Sequence, residues 1–208
     1  MKIKKYIHIR SFTFADALTS LGLVFGWAAL TFVLVERVFI AIILNSSALI
    51  LDLLDGYVAR KQNTQSTFGT RFDSFVDSIN YLVFPLILYS VGHAEQTYLI
   101  IIGGACTMLC GILRLVTWSG SEESGKGNGE LVIFSGFTVP HAFFIVMGIF
   151  WAEKLLSVNL SLLFLFLAVL VSFLMISTFP IKKSKINYMI FIGLTVVNLS
   201  LSVWQLID

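Results

Sequence analysis

Charge is scarce in this chain. Lys and Arg number 14 and Asp and Glu 12 among 208 residues, so 12% of the sequence is charged, about half of what a soluble domain carries. A net formal charge of +2 gives no electrostatic footprint for nucleic acid. Proline occurs three times and cysteine twice, which excludes a disulfide framework or a zinc site. Cys106 and Cys110 are four apart on an apolar segment and read as small packing residues on one helical face. Long polar stretches and repeats are missing too, which leaves no room for a separate soluble domain.

What the chain has is apolar surface. Hydrophobic residues make up 57% of it, and the mean hydropathy is +0.90. That exceeds what one globular core of this size can hold, so the excess must face lipid. A membrane helix needs about 20 mostly apolar residues. Seven segments qualify: 14–35, 38–58, 72–91, 96–118, 131–151, 156–178 and 186–206. The expectation is an all-α polytopic membrane protein, a single membrane domain over 1–208. The basic start, Met1 to Arg10, resembles a signal peptide, but the apolar stretch behind it is too long and has no small-residue cleavage site. It reads as a retained first span. Ile3, Tyr6 and Ile7 among lysines predict a short amphipathic juxtamembrane segment over 1–12.

The basic residues orient the layout. With the N-terminus inside, Lys2, Lys4, Lys5, Arg10, Arg60, Lys61, Arg71, Arg114, Lys126, Lys182, Lys183 and Lys185 are cytoplasmic. Only Arg37 and Lys154 lie outside. This bias follows the positive-inside rule and implies a multi-pass protein of the cytoplasmic membrane.

Four acids stand in or beside apolar helices: Asp52, Asp55, Asp73 and Asp77. Each would cost about 2.5–3.5 kcal/mol at the centre of a membrane helix, so such acids mark function or need cationic partners. Asp52 and Asp55 are i,i+3 near the end of the second span, and Asp73 and Asp77 are i,i+4 near the start of the third. Both pairs therefore present one face each. A short connection makes the two spans antiparallel neighbours and brings the pairs to one depth. Oxygen-only donors select hard divalent cations such as magnesium, manganese or calcium, and paired metals between carboxylates recur in phosphoryl chemistry. The competing reading is ion pairing with Arg60, Lys61 and Arg71. An ion-coupled transporter would also use membrane acids, but would spread them across repeats near the midplane.

The segment from Asp52 to Asp77 fits D-x2-D-G-x2-A-R-x8-G-x3-D-x3-D at every fixed position. Chance produces such a match about once in ten billion starting positions. The pattern resembles the signature of the CDP-alcohol phosphatidyltransferases. That resemblance implies a six-helix core, here over 14–178, with 186–206 as an extra C-terminal transmembrane helix. It also implies transfer of a phosphatidyl group from CDP-diacylglycerol to a small alcohol, with release of CMP. Asp52, Asp55 and Asp73 would be ligands for Mg2+ or Mn2+, in two sites, and Asp77 a ligand or the general base. Gly56, Ala59, Arg60 and Gly69 would join Asp52, Asp55 and Asp73 in binding the CDP-lipid. For Ala59 close helix packing, and for Arg60 a role as an inner-face anchor, remain open. Members of the family are often homodimers, which suggests the same here.

Outside the motif the chain is similar to bacterial phosphatidylserine synthases. Gly111–Ile112–Leu113–Arg114–Leu115 resembles their G-x-L-R-L stretch, and Ser135 to Pro140 their G-x-P-x-P stretch, with Thr138 for the first proline. Serine is therefore the favoured acceptor, with choline, inositol phosphate or glycerol phosphate as alternatives. Arg114 is the candidate for the serine carboxylate, or else a helix-end anchor. Asn80 and Lys126 are further acceptor-binding candidates. The usual S-F-G-V-A-P reads Asn80–Tyr81–Leu82–Val83–Phe84–Pro85 here, which places added bulk, Leu82 and Phe84, near the expected acceptor pocket. Asp16 stands where related enzymes carry asparagine. It is either a fifth acid of the site or a cap of the first helix.

Residues 120–127 imitate a P-loop but lack its final Ser or Thr and a preceding strand. They read as a flexible inner loop near the site. His141 reads as a packing or hydrogen-bonding histidine.

Overall fold

The structure is a computed structural model that describes residues 12–123, 133–135, 137–177, 180–182 and 185–207. The proposed surface segment therefore lies almost wholly outside the described residues, as does Lys126. Seven helical spans are described: α1 Phe14–Leu34, α2 Val38–Gln62, α3 Thr67–Val91, α4 Thr97–Glu123, α5 Val139–Leu156, α6 Ser161–Ile176 and α7 Lys185–Ile207. Six are long and apolar enough to cross a membrane, and α6 is shorter. The protein is a multi-pass helical membrane protein. In lipid only helices or closed barrels satisfy their own backbone.

The boundaries follow local chemistry. Thr13 caps α1: its side chain accepts from the Asp16 N–H at 3.1 Å, while the Thr13 N–H donates to Asp16 Oδ2 at 2.8 Å, a reciprocal capping box. On α1, Ala15, Thr19, Gly22, Gly26, Ala29 and Val33 are buried at three- and four-residue intervals. This small-residue stripe lets α2 approach closely; a Cβ at Gly22 would stand 3.6 Å from the Ala48 carbonyl oxygen.

Helix α2 outruns its expected end at 58 and reaches Gln62, where Asn63 turns the chain at φ 53. Helix α3 begins at Thr67 rather than 72, because Ser66 caps it through the Gly69 N–H at 2.9 Å. The connection is thus four residues, 63–66. Within α3 the chain widens to a π-helical turn over Ser78–Val83. Pro85 follows, and it lacks the N–H that would reach the Tyr81 carbonyl, so a wide turn ahead of it is the expected accommodation.

The C-terminal half departs more from expectation. Helix α4 continues to Glu123, so the first part of the expected 120–127 loop is helical. Helix α5 starts at Val139 rather than 131, because Ile133–Ser135 instead pairs antiparallel with Pro180–Lys182. This short ladder ties the approach to α5 to the segment after α6. Helix α6 spans 16 residues, about 24 Å of rise.

The core gathers Ala29, Val33, Ile42, Leu49, Leu82, Phe84, Phe143 and Met147 from α1, α2, α3 and α5. Helix α7 packs mainly on α2; Trp151 Nε1 donates to Asn198 Oδ1 at 2.7 Å across the α5–α7 contact. At the end of the bundle away from the acids, Glu153 accepts from Tyr89 at 2.8 Å and from the Leu160 N–H at 2.7 Å, and pairs with His93 at 3.0 Å. Trp27, Leu162, Phe166 and Phe173 stand exposed, as side chains facing lipid tails would.

Candidate active site

The site forms around the turn that joins α2 to α3. Asp52 and Asp55 lie one helical turn apart on α2, and Asp73 and Asp77 one turn apart on α3. One carboxylate oxygen from each of Asp52, Asp55 and Asp73 comes within 4.8 Å of the others. Asp77 falls outside this triad, yet its carboxyl and that of Asp73 lie within hydrogen-bonding reach of Asp52. The sequence treated the four acids as one set. In the structure Asp52, Asp55 and Asp73 converge, and Asp77 reaches Asp52.

The backbone arrangement explains how they meet. Sequence reasoning expected α2 and α3 to be antiparallel neighbours, and their acids do face each other. Thr67–Asp77 packs chiefly on α1 and α4, and α2 also meets the wide turn of α3.

Two hydroxyls hold the α2 acids. Thr19 on α1 donates to Asp55 Oδ2 at 2.5 Å, and Tyr81 on α3 donates to Asp52 Oδ2 at 2.8 Å. Sequence reasoning singled out neither for this role. A signal for Tyr81 existed, since residues 73, 77 and 81 fall on one helical stripe. None existed for Thr19, which is 36 positions from Asp55. Of the two roles foreseen for Asp16, the structure shows the cap. Asp16 is also buried, with its Oδ1 only 3.1 Å from where a Gly69 Cβ would stand. Gly69 thus admits Asp16 and Ser66 against α3.

The remaining candidates divide. Arg60 folds back over its own helix, with Nη1 3.3 Å from a Cβ built at Gly56. Neither Arg60 nor Lys61 makes an ion pair with the acids among the described residues; Lys61 lies over the Tyr57 ring. Ala59 is half-buried nearby on α2. Arg114 on α4 is half-buried, with no hydrogen bond or ion pair among the described residues. It is one turn beyond Gly111, which packs on Leu82 of α3.

Asn80 is 1% exposed, its carbonyl accepts from Asn45 Nδ2, and its Oδ1 presses on Gly26. Leu82 and Phe84, the expected added bulk of a pocket, are both fully buried; that bulk fills the bundle core. His141 Nδ1 meets the Thr138 hydroxyl at 2.7 Å at the start of α5, the hydrogen-bonding role expected of it. Cys106 and Cys110 are free thiols.

Every donor in the triad is a carboxylate oxygen. Two oxygens on opposite sides of one divalent ion are about 4–5 Å apart at ordinary bond lengths, which matches the triad's spread. The group could hold a hard divalent cation. Among the described residues no nitrogen or sulfur donor joins it that would favour zinc or copper.

Carboxylates converging at one end of a helical membrane bundle suit the binding of a divalent cation and, through it, a phosphorylated substrate. The sequence model of the CDP-alcohol phosphatidyltransferase family matches residues 12–204, and the chain belongs to that family. It is similar to the CDP-diacylglycerol–serine O-phosphatidyltransferase of Methanocaldococcus jannaschii, with 32% identity over 92% of this chain and 83% of the relative. It is similar also to the enzyme of that name from Helicobacter pylori, at 31% identity over 87% of this chain and 78% of the relative. The archaetidylserine synthase of Methanothermobacter thermautotrophicus is 36% identical over 66% of this chain and 56% of its own length.

Proposed function

We propose that this protein transfers the phosphatidyl group of CDP-diacylglycerol to the hydroxyl of L-serine, giving phosphatidylserine and CMP. The observation that carries this reading is the convergence of Asp52, Asp55 and Asp73, with Asp77 beside them. Serine is favoured because it is common to the names of the three relatives, whose lipid parts differ. Arg114 supports it, as a half-buried guanidinium suited to a carboxylate.

Asp52, Asp55 and Asp73 would hold one or two Mg2+ or Mn2+ ions. Such ions, when bound, neutralise the diphosphate of the CDP-lipid. Arg60, lying over Gly56, pairs with a phosphate oxygen, while Gly56, Ala59 and Gly69 keep the walls low where the nucleotide lies. Asp77, next to the triad but outside it, accepts the proton of the serine hydroxyl. The serine oxygen then bonds to the lipid-side phosphorus, and the bond from that phosphorus to the bridging oxygen breaks as CMP leaves. Arg114 orients the acceptor through its carboxylate, with Lys126 as a further acceptor contact. The excess of basic residues at the acid-bearing end supports a site on the cytoplasmic side of the cell membrane, where CMP would escape to water. A homodimer is the proposed assembly.

Radiolabelled acceptors offered with CDP-diacylglycerol and Mn2+ test this. Serine is expected to yield labelled phosphatidylserine with stoichiometric CMP. Label entering lipid only from choline, inositol phosphate or glycerol phosphate would overturn the acceptor assignment.

A further inference from the structure

We propose that Tyr81 is a positioning residue for the metal site: its phenol hydroxyl holds Asp52 in the conformation that receives the cation. This rests on the reading of Asp52 as a metal ligand.

The hydroxyl donates to Asp52 Oδ2 at 2.8 Å. The ring has little freedom to move away. Tyr81 is buried, and its ring meets Phe143 edge-on at 5.7 Å. It sits inside the wide turn Ser78–Val83, a helical irregularity that recurs at functional sites. Neighbouring Asn80 and Leu82 anchor that turn on Gly26 and Gly111. The donor is therefore fixed before any ion arrives.

The chemical type of the donor matters. A carboxylate needs a hydrogen-bond partner where water is scarce. A lysine or arginine would supply one but would cancel the negative charge that attracts a cation. A phenol is neutral: it orients the carboxylate and leaves the full negative charge for the ion. Asp55 is treated alike, through Thr19.

Removing a partner of a metal ligand typically weakens metal binding 10- to 100-fold. The test is Tyr81→Phe, which keeps the ring and its contact with Phe143. Full-length protein in detergent is titrated with Mn2+ alone, free ion being read by electron paramagnetic resonance, with no lipid or acceptor present. The control is Tyr89→Phe, which removes a bond of the same kind, from Tyr89 to Glu153 at 2.8 Å, at the other end of the bundle. Tyr81→Phe is expected to weaken Mn2+ binding about 10- to 100-fold, and Tyr89→Phe to leave it unchanged. Both should lower the thermal midpoint of the metal-free protein alike. Wild-type Mn2+ affinity in Tyr81→Phe, or equal weakening in both variants, overturns the proposal. If Asp52→Asn also binds Mn2+ as the wild type does, the metal-site reading itself fails, and Tyr81 with it.

Discussion

Gly111 on α4 is the socket for Leu82 on α3. A Cβ at Gly111 would fall 2.7 Å from both δ-carbons of Leu82, and Leu82 is completely buried, so it has nowhere to retreat. Gly111→Ala is expected to destabilise the protein by about 1–3 kcal/mol through overpacking. Leu82→Ala in the same chain should return part of that loss. Unfolding in detergent for the two single variants and the pair measures the coupling, and strictly additive effects would deny the contact.

Asp77 lies outside the triad, which separates its proposed role from theirs. Asp77→Asn is expected to lower kcat about 10²- to 10⁴-fold, the usual range for losing a general base, while Mn2+ binding persists. Asp52→Asn should lose both. Mn2+ affinity that collapses equally in the two variants would make Asp77 a ligand of the same standing.

Arg114 has no protein partner among the described residues, so its removal should disturb the acceptor rather than the fold. Arg114→Ala is expected to raise KM for serine about tenfold or more, the range for losing a charge-assisted bond. KM for the CDP-lipid should change little. Equal increases for both substrates would assign Arg114 to structure.

Among the described residues, one buried polar pair, Trp151 and Asn198, links the seventh span to α5. Asn198→Leu leaves the indole N–H without its acceptor. A loss of about 0.6–2 kcal/mol is expected, read as a lower thermal midpoint in detergent. The Mn2+ affinity should hold, because the pair is remote from the acids.

Much of this architecture was legible in the sequence because a bilayer imposes length and hydropathy on each span. Capping chemistry refined the ends: Ser66 and Asn63 set boundaries that hydropathy alone placed several residues off. The stretch at 131–138 misled because a strand and a membrane helix are both apolar, and only the partner at 180–182 decided between them. Leu82 and Phe84 read as added bulk near a pocket, and both lie in the bundle core. A change of side-chain volume is visible in a sequence, but whether the volume faces a cleft or a neighbouring helix is not.

The family, the number of spans and the identity of the acids were determined by the sequence alone, since composition and an eight-residue pattern suffice for them. Only the tertiary structure decided that Asp52, Asp55 and Asp73 converge with Asp77 in reach of Asp52, and that Thr19 and Tyr81 hold two of them. The physical reason is that hydrogen bonds and ion coordination act over a few ångströms. Which side chains come that close depends on how α1, α3 and α4 pack, and on a wide turn that no single residue announces.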